Sequence, residues 1–156
     1  MRVTKRIGNI YEVKMKDGKY AYFQYLGEHS TQLYGDVIRV FESRYLQRPS
    51  VETIVRDRVE FYMHTFIKLG VKTGYWEKIG HSDEIGSLDI WFKVDKSYCL
   101  ATEEDKNFNC YWEVWAFNKP RRFIGKLPEK YHLASEGFLD PPSLVVQQII
   151  ERKELG

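Results

Sequence analysis

Ile7-Gly8-Asn9-Ile10-Tyr11-Glu12-Val13, then Lys16-Asp17-Gly18, then Lys19-Tyr20-Ala21-Tyr22-Phe23-Gln24-Tyr25-Leu26 is the stretch on which the fold turns. Both flanks alternate apolar and polar residues in part and are rich in aromatic and β-branched side chains, which suit a pleated, half-buried surface. Asp-Gly between them supplies a short polar connection and a residue free to take positive φ, so the stretch reads as a β-hairpin.

Working outward, Gly35 to Tyr45 continues as a third strand of a meander, with Val37, Arg39 and Phe41 on one face and Ile38 and Val40 on the other. After Pro49, Ser50 is placed to cap a short helix whose apolar residues Val51, Ile54 and Val55 fall at helical spacing. Arg58 to Ile67 alternates again and predicts a fourth strand. Further strands are expected at Tyr75 to Ile79, Leu88 to Val94, Tyr98 to Thr102 and Cys110 to Phe117, with a weaker one at Phe123 to Gly125. The longest helix is predicted at the C-terminal end. Asp140 is its expected cap, Pro141 fits its first turn, Leu144, Val145, Gln148 and Ile149 share a face, and Arg152 and Lys153 sit near its negative end. One amphipathic helix must bury its stripe on something, and only a sheet is on offer. The expected architecture is a single mainly β domain over residues 1–156: a strongly curved antiparallel sheet or small barrel, one short helix, and a C-terminal helix packed on the sheet.

A chain of 156 residues with 43% hydrophobic and 15% aromatic residues has ample material for one core, which excludes a disordered or fibrous protein. No Gly-, Ser- or Pro-rich linker divides it. Against 22 Asp and Glu stand 24 Lys and Arg, so a net charge of +2 gives no whole-molecule field to gather nucleic acid or an anionic membrane. Met1-Arg2-Val3-Thr4-Lys5-Arg6 leads into the first strand without an apolar leader, and no apolar run approaches the roughly 20 residues of a membrane span. A cytoplasmic location is therefore expected. Cys99 and Cys110 lie among strand-like aromatic residues and read as buried thiols rather than a disulfide framework.

Motifs that would announce an enzyme are missing: there is no phosphate loop, no G-x-S-x-G, no H-E-x-x-H and no paired CxxC. His29, His64, His81 and His132 are scattered, and only His81 has close acidic neighbours, in His81-Ser82-Asp83-Glu84. Bracketed by Gly80 and Gly86, that run reads as a solvated turn before a metal or acid–base site, which needs convergent groups in a pocket. His64, inside an alternating strand, reads as a satisfied or half-exposed histidine rather than a ligand. Glu103-Glu104-Asp105 reads as a hairpin tip. The basic aromatic stretch Tyr111 to Phe123 invites a single-strand nucleic-acid reading through Lys119, Arg121 and Arg122. Its alternation instead describes a central strand, so nucleic-acid binding stands as the alternative function. Neither a cofactor nor a catalytic residue is assigned. Four tryptophans, eleven tyrosines and nine phenylalanines exceed what so small a core can hide, and the surplus favours a protein-binding surface.

The opening hairpin, with Asp17-Gly18-Lys19-Tyr20-Ala21-Tyr22, Gln24 and Leu26-Gly27, resembles the start of immunity protein family 26 of bacterial polymorphic toxin and contact-dependent inhibition systems. Gly74-Tyr75-Trp76-Glu77-Lys78-Ile79-Gly80-His81, the Tyr111 to Trp115 strand and the helix start at Gly137-Phe138-Leu139-Asp140-Pro141-Pro142 are compatible with it. Asn9 stands where the family motif has aspartate, and Phe23 where it often has glycine. The resemblance implies a mostly β, non-enzymatic protein that binds a cognate toxin and neutralises it by occlusion. β domains place recognition on loops, so the expected partner-binding residues are Asp83, Glu84, Glu103, Glu104, Asp105, Arg121 and Arg122. At +2 the chain is not the acidic partner a basic nuclease calls for, so a near-neutral or acidic toxin, or a local acidic patch, is expected.

Overall fold

The computed structural model describes residues 2–28, 35–95 and 112–155, so the expected strand at Tyr98 to Thr102, both cysteines and Glu103, Glu104 and Asp105 lie outside the described residues. The hairpin forms as expected: β1 (Asn9–Lys14) pairs antiparallel with β2 (Tyr20–Glu28), from Lys14 opposite Tyr20 to Ile10 opposite Gln24. Gly18 takes φ +86° in the turn, and the Asp17 carboxylate accepts the Lys19 N–H at 2.9 Å, the local bond that makes this residue pair a turn. β3 (Asp36–Phe41) and β4 (Val59–Thr65) continue the meander, while β5 (Glu77–His81) returns to β1, giving the order β4-β3-β2-β1-β5.

Between them, α1 (Val51–Val55) is capped by Ser50, whose Oγ accepts the Thr53 N–H. A further helix, α2 (Ile67–Lys72), follows β4 directly. A second sheet holds β6 (Trp91–Asp95), β7 (Trp112–Ala116), β8 (Arg122–Phe123) and β9 (Ser135–Glu136) in the order β8-β7-β6-β9, with β9 parallel to β6. The chain ends on α3 (Pro142–Leu155), whose first bonds run to the Pro141 carbonyl. The helix thus starts one residue later than the Asp140 cap predicts, and Asp140 is held through its main chain instead.

The expectation of one strongly curved sheet or small barrel is not met. The five-stranded sheet stays open, ending at β4 and β5, and the remaining strands form a separate sheet. The reason lies in the central strands. Ala21 to Gly27 and Asp36 to Phe41 are buried without a break, so both faces of the sheet need cover. A small barrel shields one face and gives the other to water. Here Tyr11, Val13, Phe23, Ile38, Val40 and Met63 meet α2 and α3 through Ile67, Val145 and Ile149. On the opposite face Ile10, Tyr22 and Phe41 meet α1, while Leu26 and Val37 meet Phe92, Val94 and Trp115 of the second sheet.

On that second face the Glu12 carboxylate is held from two sides. Glu12 accepts the Tyr22 hydroxyl at 2.8 Å and Arg48 Nε at 2.8 Å, with Arg48 Nη2 reaching its other oxygen at 3.1 Å. The Arg48 hydrogen bonds hold the Glu12 carboxyl below the usual carboxylate range. A group with a lowered folded pKa adds stability that is complete above the unfolded carboxylate range, near about pH 4, and is lost as pH falls through the folded value. Glu12→Gln should therefore flatten the acid limb of a stability–pH profile between about pH 5 and pH 3; an unchanged limb in denaturant titrations would show the pair to be idle.

Candidate interaction site

The sequence-picked residues do not gather into one place. His81 Nε2 lies 2.9 Å from Asp83 Oδ1 and its Nδ1 lies 3.1 Å from Asn9 Oδ1. The hydrogen bond from His81 keeps the Asp83 carboxyl low. Both Asp83 and Glu84 are exposed, as a solvated turn requires, yet the backbone beneath them is pinned. Buried Gln24 donates to the carbonyls of Gly8 and Ser82, and buried Arg39 donates from Nε to Gln24 and from Nη2 to the Glu84 carbonyl at 2.9 Å. Gly8 carries this close approach: at φ +99° its missing Cβ would stand 2.3 Å from the Ser82 carbonyl oxygen. The 82–86 loop is thus a fixed ledge, with two carboxylates pointing to water.

Arg121 and Arg122 are adjacent but serve opposite faces of the second sheet. Arg121 bonds Glu113 at 2.6 Å and lies over the buried Trp115 ring at 4.6 Å. Arg122 donates to the Tyr131 hydroxyl at 3.0 Å and lies 5.9 Å from the Trp91 ring, itself 5.2 Å from the Tyr131 ring. Two cations of the trio proposed for nucleic acid are therefore engaged with the protein's own side chains. His64 is fully buried, its ring 4.4 Å from Phe92, which keeps it from any substrate. Among the described residues no three of His, Cys, Asp and Glu gather to hold a metal.

What the structure does assemble is a pair of neighbouring clefts, each of about 440 Å³, that share Tyr62, Leu133, Ala134 and Ser135. One runs along β4 toward α3. The other is floored by Trp91 and Tyr131. Between them Leu133 is 99% exposed, and Phe138 of the first cleft is also open to water. This ridge is rigid at its base: Lys93 Nζ donates to the His132 carbonyl at 2.6 Å, Gly137 N–H donates to Lys93, and Asp140 N–H donates to His64. Trp, Arg and Tyr are the side chains that dominate binding energy in protein interfaces, and here they cluster beside a fully exposed leucine that adds apolar area. Sequence inspection found Trp91 only as one of a surplus and had no signal for Leu133, Tyr62 or Tyr131, because their proximity is set by the β6–β9 pairing.

These features define a class: a β scaffold of two sheets that presents aromatic-lined clefts beside an exposed apolar ridge. The family model described as Immunity protein 26 matches residues 6–120, and the chain belongs to that family. The matched stretch builds the five-stranded sheet, β6 and β7; the ridge and α3 lie beyond it. No curated protein and no solved structure matches the chain. No helix among the described residues is long and apolar enough to cross a membrane.

Proposed function

We propose that this protein is an immunity protein of the bacterial cytoplasm that binds a cognate toxin domain and neutralises it by covering the surface the toxin needs, without chemistry of its own. Membership of the immunity family supports the toxin as partner. The observation that carries the mode of action is the exposed Leu133 set between the Trp91–Arg122–Tyr131 cluster and the β4 cleft, which gives the toxin an apolar anchor point on a fixed base. Asp83 and Glu84 add a rim of negative charge on their pinned ledge, suited to steering rather than to holding. Glu103, Glu104, Asp105, Arg121 and Arg122 remain candidate rim contacts under this proposal.

The test is protection. Cells expressing a toxin domain encoded beside this chain should grow when the chain is co-expressed, and the two polypeptides should co-purify in a fixed ratio. Growth arrest despite full expression of both would sink the reading.

A further inference from the structure

The larger sheet ends at β4, and the position beside that strand is only partly filled. At His64 it is taken: Leu139 forms a parallel bridge there and Asp140 N–H donates to the His64 carbonyl at 2.9 Å. His64 therefore turns its main-chain groups away from β3. By the two-residue alternation of an antiparallel strand Tyr62 does the same; Glu60 is the extra residue at the irregularity where Val40 faces Phe61 and Phe41 faces Val59, so the alternation stops there. Beside Val59 to Tyr62 no strand is paired among the described residues; the space is the β4 cleft.

Unpaired strand edges are templates for another chain. This one is short, which limits self-association, and it is walled. Leu144 and Gln148 of α3 stand on one side and Glu136 and Phe138 on the other. Its charges are unequal. Glu60 is matched by Arg44 at 2.9 Å, and Arg152 lies over the Phe61 ring at 4.1 Å. Glu136 and Asp140 have no ion pair among the described residues, and burial together with the Glu136 charge pushes the Asp140 carboxyl up. Two like charges with no cation between them ask for one.

We propose that the edge of β4 at Val59 to Tyr62 takes on a short extended segment of the toxin as an added strand, with a Lys or Arg of that segment seated between Glu136 and Asp140. This rests on the immunity reading above. Main-chain pairing supplies a sequence-tolerant grip, and the cation fixes which residue of the segment enters.

The probe is the acetylated, amidated peptide Thr-Val-Lys-Val-Thr, titrated into the full chain and followed by amide-resolved NMR. Saturable shifts are expected at Tyr62 with a Kd of about 1 mM. Methylating alternate peptide nitrogens removes the main-chain donors without altering the protein, and should weaken binding about tenfold. Replacing the peptide Lys by Glu, or combining Glu136→Gln with Asp140→Asn, should weaken it by a similar factor. Absence of shifts at that amide, or equal binding of the methylated peptide, overturns the proposal. Broadening at Tyr62 that grows with protein concentration alone would give the edge to a second copy and overturn it too. Protection separates this inference from the one beneath it. If the wild type protects and Glu136→Lys with Asp140→Lys protects equally well, the added strand is refuted and immunity stands; if the wild type fails to protect, immunity falls and the peptide titration alone judges the edge.

Discussion

Leu133→Asp should leave the melting temperature unchanged and weaken toxin binding about a hundredfold, close to 3 kcal/mol. The side chain is 99% exposed, so the fold gains nothing from it. Its neighbours decide the size of the effect. Tyr62, Ala134 and Ser135 line both clefts with it, and Trp91 and Tyr131 floor one of them. A partner that closes over this ridge strips water from the leucine, and a carboxylate there would be desolvated without a counter-charge. Leu133→Ala should fall between the two, because truncation loses apolar area without burying a charge. Calorimetric titration of the purified toxin domain against the three proteins measures this directly. Equal affinities with intact folds would place the interface elsewhere, with the Asp83 and Glu84 ledge as the next surface to alter.

Trp115→Ala should cost about 4 kcal/mol of stability and lower the melting temperature by about 10 °C. The indole is fully buried in the cluster that joins the two sheets, with Leu26 and Val37 of the larger sheet and Phe92 and Val94 of the smaller. Its ring lies 5.8 Å from Phe92 and 6.5 Å from His64, Arg121 rests on it, and the backbone of Gly137 passes so close that a Cβ there would stand 2.1 Å from the ring. The void left by alanine cannot collapse without moving β9 or the larger sheet. Because Gly137 leads into the ridge, toxin binding should weaken together with stability, in contrast to Leu133→Asp. Denaturant unfolding followed by tyrosine fluorescence and circular dichroism would report it; a loss below about 1 kcal/mol would mean the sheets are joined by something other than this ring.

The contrast between these two residues marks what could be read from the chain. Alternation and Asp17-Gly18 were enough for the hairpin and the meander, because both are settled by neighbours in sequence. Ser50 was enough for α1 for the same reason. α2 was invisible. It starts at Phe66 without a capping side chain, and the Ile67 N–H is satisfied from another strand, by the Asp36 carboxylate at 2.9 Å, which also takes the Lys5 ammonium. Ile67 reads as the end of the fourth strand, and Lys68 to Lys72 carry no pattern until that distant acceptor is in place. A single curved sheet or barrel with one helix on it provides cover for one side, whereas unbroken burial of β2 and β3 on both faces calls for two layers of cover. The acidic turn at His81 to Glu84 was legible as exposed but not as pinned, because its anchors Gln24 and Arg39 sit on strands remote in sequence. Leu133 was illegible for the opposite reason: a lone apolar residue in a loop carries no pattern, and only the pairing of β9 with β6 lifts it into view.

The segment from Ser135 to Asp140 belongs to both sheets at once, pairing with β6 at one end and bridging β4 at the other. It works as a seam. Parting either sheet tears the stitching of the other, so the strands on its two sides should exchange their amide hydrogens as one cooperative unit. A toxin lodged across the ridge would press on that seam from both flanks. Its grip would then be felt as slower opening of the whole scaffold, and the complex would outlast proteolysis that the free protein does not survive.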